Sequence, residues 1–596
     1  MRHILLAVGL PLLLSVTAMG REYHVTKAGP LKTINAAARI ALPGDTITVH
    51  EGVYREWVDP RVGGRGESSR ILYRAAEGEN VEIKGSEIIK GWKKAGKDLW
   101  SVTVPNSMFG DFNPFAEEFK GDWLDTKFPM HLGDVYLNDV SLYEAKSVDS
   151  LRVVRKTLRD PQGVCLNWFA SVGETATTIT ACFDGADPNK ATVEINVRPT
   201  CFYPTREGVN YITVRGFRIS QAATQWAAPT AEQIGMVAPH WGKGWIIEDN
   251  ILKNSHASGI TLGKEAGTGQ DEWSKDERHI DGSIHYLETI FKTLRKGWDK
   301  DIIGSHIVRN NIISDCGQAG ICGSMGCAFS EIYGNEIFNV FVKGTDQYNG
   351  AELSGIKFHG GIDTYIHDNR IHDCNQAVWL DWMGQGARVS SNLFYDNWQQ
   401  DLFIEMVHGP YIVDNNIMLS EYSLLDAAEG GAYVHNFIYG KIRDISWDDL
   451  RFVPYNLPHS TSIKGISRIE HSDCRFFNNI FCSNDGDTSW DLERYKESDH
   501  PAVVEGNVIL RDQSFELHSE GDDVFLSFGP MKLPSNSGLV DSGRLGVTFL
   551  SDCGYENPDG TPISFDEDYF HEKRPGTNMV PGPFATFPDS RIKVWK

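Results

Sequence analysis

Two acids interrupt apolar, strand-like runs in the same way: Asp381 in "AVWLDWM" and Glu405 in "DLFIEMV". A pair of carboxylates held against a sheet is the minimum equipment for acid/base and nucleophilic chemistry on a glycosidic bond. Aligning "GIKFH", "AVWLD" and "DLFIE" puts His359, Asp381 and Glu405 in one column and Ile356, Val378 and Leu402 in another. Period-two alternation then turns Phe358, Leu380 and Ile404 inward with the second column. His359, Asp381 and Glu405 fall on the outer face, beside Lys357, Trp379 and Phe403. On neighbouring rungs, about 4.8 Å apart, such carboxylates stand roughly 5 Å from one another. That separation suits retaining glycosidases, at about 5 to 5.5 Å, and not inverting ones, at about 6.5 to 9.5 Å. Trp379, Trp382 and Phe403 are placed to stack on sugar rings and to desolvate a carboxyl, which raises its pKa. On an outer face, His359 is expected to be a hydrogen-bonded surface group and Lys357 a solvated one.

The elements that must position this column are announced by a repeat. Asn-x-Ile or Asn-x-Phe recurs from Asn310, Asn335, Asn369, Asn392, Asn415, Asn436, Asn478 and Asn507, with "DNI" from Asp249 as a forerunner. The intervals from 369 to 392 to 415 to 436 are 23, 23 and 21 residues, the length of one coil of a β-solenoid. A periodic asparagine column implies side-chain amides bonded from rung to rung, and Asn also tolerates left-handed turns. Asp381 lies 12 residues after Asn369, and Glu405 lies 13 after Asn392, so both occupy equivalent strands of successive coils. The fold expected is all-β: a parallel β-helix whose open first coil is capped by a short helix in "LKTINAAARIALPGD".

The repeat lapses between 87 and 204, where "DLWSVTVP", "GDVYLNDVSLYEA" and "TATTITACF" read as an inserted β-sandwich. The chain therefore divides into a signal segment at 1–20, cap and first coils at 21–86, the sandwich at 87–204, the main β-helix at 205–514 and an irregular or β-rich tail at 515–596. A long insert at 264–301 carries a helical pattern, "IHYLETIFKTLRKG".

With 596 residues, 41% hydrophobic, the chain can bury a large core. A formal net charge of −23 speaks against nucleic acid or an anionic membrane as partner and for a neutral substrate. The leader "MRHILLAVGLPLLLSVTAMG" has the basic start, apolar run and small residues of a cleavable signal, so a periplasmic or extracellular location is expected. Ten cysteines without a CxxC knuckle read as buried small hydrophobes. Cys316, Cys322, Cys327 and Cys374 fall on neighbouring repeats and leave room for stacked thiols or one disulfide.

The runs "AVWLDWMGQGARVSSNLFYDN" and "DLFIEMVHGPYIVDNNIMLS", with "FGDFNPF", "GIKFHGGIDTYIHDNRI" and "LLDAAEGGAYVHN", closely resemble glycoside hydrolase family 120, the β-helical β-xylosidases. The resemblance implies a right-handed parallel β-helix with an inserted β-sandwich. It implies Asp381 as nucleophile, Glu405 as general acid/base and Glu352 of "GAELSGIKFHGG" as a third acid that assists proton transfer or binds sugar hydroxyls. His359, Trp382 and His408 are candidate sugar contacts by motif and column. Neither a metal nor an organic cofactor is expected, the substrate is a xylo-oligosaccharide or another neutral glycoside, and family likeness hints at a homo-oligomer. Two rival readings are a pectin-active hydrolase or lyase and a non-catalytic polysaccharide-binding solenoid. A lyase wants a Lys or Arg base beside calcium-binding acids, whereas the column holds His, Asp and Glu.

Overall fold

The computed structural model describes residues 20–596 except 279–280, 444–450, 483–491, 493–498, 512, 530, 536 and 588–590. The expected signal segment lies outside the described residues apart from Gly20.

Parallel pairing builds the body of the molecule. One continuous sheet has 18 strands and a second has 12; most strands pair in parallel with their counterparts in the next coil, and coils such as that of Ser354–His359 and Tyr365–His367 give two strands to the larger sheet. Their inward side chains, among them Val308, Ile332, Ile366, Val389 and Val413, form one buried apolar cluster along the axis. Helix Ile34–Ala38 closes the N-terminal end by burying Ile34, Ala37 and Ala38 in that cluster, and Thr33 Oγ1 caps it by accepting from the Ala36 amide.

The asparagine ladder is present, shifted by one residue from the motif in three copies. Nine side chains form it: Asn250, Asn311, Asn335, Asn369, Asn392, Asn416, Asn436, Asn479 and Asn507, each Nδ2 donating to the next Oδ1 at 2.9 to 3.0 Å. In the "NNI" copies the second Asn is the rung. The first takes the left-handed turn, as Asn310, Asn415 and Asn478 do at φ 56°, 54° and 55°. Every other coil fills that turn with a tolerant residue, such as Gly334, Asp368, Ser391 or Gly506.

Replacing one rung should be felt across two coils. In an Asn392→Ala variant, Asn369 loses the acceptor of both its backbone amide and its Nδ2, while Ile366 O, Ser390 O and Asn416 Oδ1 lose a donor. At about 1 kcal/mol or more for each stranded buried group, a loss on the order of 3 kcal/mol is expected, read as a lowered urea midpoint at unchanged slope.

The sandwich leaves the solenoid after strand Val81–Lys84, with Ser86–Ile88 already in its first sheet. That sheet has four strands, a second has five, and Trp92, Phe115, Val135, Trp168, Ile179 and Ile195 pack between them. The fold expected from the sequence is therefore the fold observed. The tail, expected to be irregular or β-rich, forms a three-stranded antiparallel sheet of Phe515–Glu520, Asp523–Phe528 and Ile592–Trp595. Its Val524, Leu526 and Val594 cover Leu393, Ile417, Phe437 and Ile480 of the 12-stranded sheet.

All ten cysteines are free thiols, and nine are buried. Cys165 and Cys182 of the sandwich approach to 2.9 Å. Cys316, Cys322, Cys327 and Cys374, whose neighbouring repeats allow a disulfide, are free.

Candidate active site

Strand Ser354–His359 pairs in parallel with Gln376–Asp381, and that strand with Gln400–Asp414. The register sets His359 against Asp381 and Asp381 against Glu405, as the column reading requires. Phe358, Leu380 and Ile404 point into the core, so the acids point out.

Outward does not mean exposed here, because three excursions of the chain build a roof. The first is helix Ser283–Lys296, whose Tyr286 meets His359 and Trp382 edge to face at centroid distances of 5.0 and 5.1 Å. An arm of the sandwich insert is the second: Leu124–Thr126 pairs with Tyr348–Gly350, and Trp123 O accepts from the Ala351 amide beside Glu352. The third is a hairpin, Phe452–Asn456 with Ile463–Arg468, preceded by Arg451. Helix and hairpin meet through Ile290, Trp382, Met406, Val453 and Ile469. Beneath them lies a cavity of about 700 Å³ lined by Trp123, Tyr286, Glu352, His359, Trp379, Asp381, Trp382, Phe403, Glu405 and Arg451.

The roof overturns the solvated reading of Lys357 and the surface reading of His359. The Lys357 side chain is 0% exposed, with Nζ 2.8 Å from Asp381 Oδ2 and 3.0 Å from the centroid of the Trp379 ring. His359 Nε2 lies 3.0 Å from Glu352 Oε1 and 3.4 Å from Asp381 Oδ2, so this nitrogen carries the proton. Glu405 Oε2 accepts from Trp379 Nε1 at 3.0 Å, and its Oε1 accepts from Arg451 Nη2. Trp379 stacks on Phe403 at 4.8 Å, which spends one face of each ring.

Electrostatics separates the two column acids. Burial pushes the Asp381 carboxyl up, but Lys357, His359 and Arg451 outweigh it and hold the group below the usual range. Burial and then the Asp381 charge push Glu405 up, against the pull of Arg451 and Lys357. The site thus lowers the proton affinity of one carboxylate and raises that of its neighbour.

Of the residues singled out in the sequence, Glu352, His359, Asp381, Trp382 and Glu405 line one cavity. His408 does not. Register breaks on both sides of it, and its ring lies between Glu429 Oε1, 2.5 Å away, and the hairpin carbonyls Val453 O and Ser467 O. Its place is that of a peg for the roof. The sequence reading missed Tyr286 and Arg451, and for Arg451 no periodic signal exists. Among the described residues, no group of three or more His, Cys, Asp or Glu is placed to hold a metal ion.

Comparison with known proteins identifies the family. A solved structure of XylC in complex with xylose is 42% identical, covers 96% of this chain and 100% of its own, and superposes with a TM-score of 0.90. The glycoside hydrolase 120 insertion domain matches residues 89–195, and the right-handed β-helix region matches 308–436. The chain belongs to glycoside hydrolase family 120. The family's insertion domain corresponds to the sandwich, and the chain is a glycoside hydrolase. More distant solved structures share less: a glycoside hydrolase is 11% identical over 83% of this chain and 96% of its own, with a TM-score of 0.45. The GH136 lacto-N-biosidase from Eubacterium ramulus is 11% identical over 83% of this chain and 68% of its own, with a TM-score of 0.36. No curated protein matches the chain.

Proposed function

We propose that this family 120 enzyme is a retaining β-xylosidase that removes terminal xylose from neutral xylo-oligosaccharides, with Asp381 as nucleophile and Glu405 as general acid/base. The observation that carries the reading is the register Asp381 against Glu405 on adjacent rungs, about 4.8 Å apart, with their proton affinities pushed in opposite directions. Asp381 Oδ2 is engaged by Lys357 and His359, while Oδ1 is buried and makes no hydrogen bond among the described residues. Oδ1 is the oxygen that attacks the anomeric carbon. The Glu405 proton goes to the leaving oxygen as that bond breaks; in the second step Glu405 takes a proton from the water that opens the xylosyl ester. Xylose as the sugar is supported by the 42% identical XylC–xylose structure. Release of terminal units is supported by the helix, sandwich arm and hairpin that roof the cavity. Export is supported by the leader and is checked by a mature N-terminus at Arg21.

Proton NMR of an aryl β-xyloside digest tests the chemistry. Prompt appearance of β-xylose before mutarotation is expected; prompt α-xylose would overturn the adjacent-rung mechanism. Long oligosaccharide products from xylan would refute terminal action.

A further inference from the structure

In the reading above, Asp381 loses its charge halfway through each turnover, when the carboxylate becomes an ester. The two groups that neutralise it do not leave. Lys357 Nζ and His359 Nε2 are shared between Asp381 Oδ2, at 2.8 and 3.4 Å, and Glu352 Oε1, at 3.7 and 3.0 Å. Glu352 is 2% exposed, and its Oε2 makes no hydrogen bond among the described residues. It is held there at some expense: φ is +71°, a left-handed conformation disfavoured for a residue with a side chain by about 1 kcal/mol or more. The strand pair Leu124–Thr126 with Tyr348–Gly350 fixes the segment from outside.

We propose that Glu352 is the alternate counter-ion of the site: it takes over Lys357 and His359 as Asp381 is esterified, and it passes no proton itself. The inference rests on Asp381 being the nucleophile. In the first step a bond forms from Asp381 Oδ1 to the anomeric carbon, the bond to the leaving oxygen breaks, and that oxygen receives the Glu405 proton. Lys357 and Glu352 keep all their protons and electrons. What changes is the partner of a buried ammonium. Without Glu352, Lys357 would face a neutral ester with the Trp379 ring beside it and, as nearest countercharge in the column, the newly ionised Glu405 one rung beyond Asp381; a poorly paired buried cation is costly. With Glu352 already within 4 Å, the charge is rebalanced by a small movement of Nζ. The pair tightens as Asp381 is neutralised, so it favours the transition state over the ground state, which is the condition for accelerating the step. Glu352 is thus a positioning residue acting through Lys357.

A double-mutant cycle tests this on the full-length enzyme with an aryl β-xyloside. E352Q is expected to lower kcat/KM by about 10- to 100-fold when Lys357 is present, but by less than about 3-fold in a K357M background, where no cation needs balancing. Equal losses in both backgrounds would overturn the proposal, since a proton shuttle or a sugar ligand at Glu352 is needed whatever stands at 357. A second readout guards against a K357M protein that folds poorly. E352Q alone should slow formation of the covalent adduct with 2-deoxy-2-fluoro-xylosyl fluoride by the same factor as kcat/KM while leaving KM for xylobiose nearly unchanged; a raised KM with normal trapping overturns the proposal in favour of sugar binding. In wild type the adduct should sit on Asp381. A label elsewhere sinks the Asp381 reading itself, whereas a label on Asp381 with an additive cycle sinks the counter-ion role alone.

Discussion

An Asp381→Ala enzyme should lose on the order of 10⁴-fold or more in kcat/KM, because no other carboxylate of the column stands where the covalent bond must form. Glu352 shares Lys357 and His359 with Asp381, but its Oε1 is engaged by those two groups. Azide should restore part of the activity by entering the space of the missing carboxylate. The product is then α-xylosyl azide, with the anomeric centre inverted once. Formation of the β-azide by this variant would move the nucleophile away from Asp381. Melting at the wild-type temperature separates lost chemistry from lost fold.

Glu405→Ala is expected to split substrates by leaving group. Xylobiose, whose departing oxygen needs a proton, should fall by about 10²- to 10⁴-fold in kcat/KM. A dinitrophenyl β-xyloside needs no proton, so its first step should survive and the xylosyl-enzyme should accumulate as a burst. Azide should release it as the β-azide, the opposite stereochemistry to the Asp381 variant. The pH profile gives an independent reading of the same residue. In wild type, kcat/KM requires Asp381 ionised and Glu405 protonated. Its acid limb should lie below the ordinary carboxylate range and its alkaline limb above it, given the lowered and raised proton affinities of the two groups. Substituting Glu405 should abolish the alkaline limb with the activated aryl substrate and leave the acid limb in place. An alkaline limb that persists unchanged would assign it to another group.

The column of acids was readable from sequence because a strand has period two and a coil recurs at a nearly constant interval, so offsets from Asn369 and Asn392 fix the face and the rung of Asp381 and Glu405. The asparagine motif was readable in outline but slipped by one at "NNI", where both residues suit their neighbours' roles and only the pairing of Ile312 with Glu336 decides between them. His408 misled for the opposite reason. It lies three residues beyond Glu405 in the same strand, and the register breaks that turn it toward Glu429 leave no trace in alternation. Lys357 was read as solvated because an outward residue on a lone solenoid is solvated; the roof that buries it comes from helix 283–296, the arm at 124–126 and the hairpin at 452–468. Arg451, 46 residues past Glu405, reaches it only by the path of that hairpin. Such contacts are made by segments with no common period, and tertiary packing alone brings them together.

The ladder also has a direction. At every step the donor belongs to the earlier coil and the acceptor to the later one, for both the backbone amide and the side-chain Nδ2, from Asn250 through to Asn507. A finished coil therefore presents two unspent hydrogens at a fixed point on its upper edge, and a single carbonyl oxygen on the next stretch of chain meets both. Aspartate offers that oxygen but has no side-chain hydrogen to pass on, so only its backbone amide would reach the next rung. Each turn thus fixes the register of its neighbour through one side chain, with the donors always on the amino-terminal side of the contact.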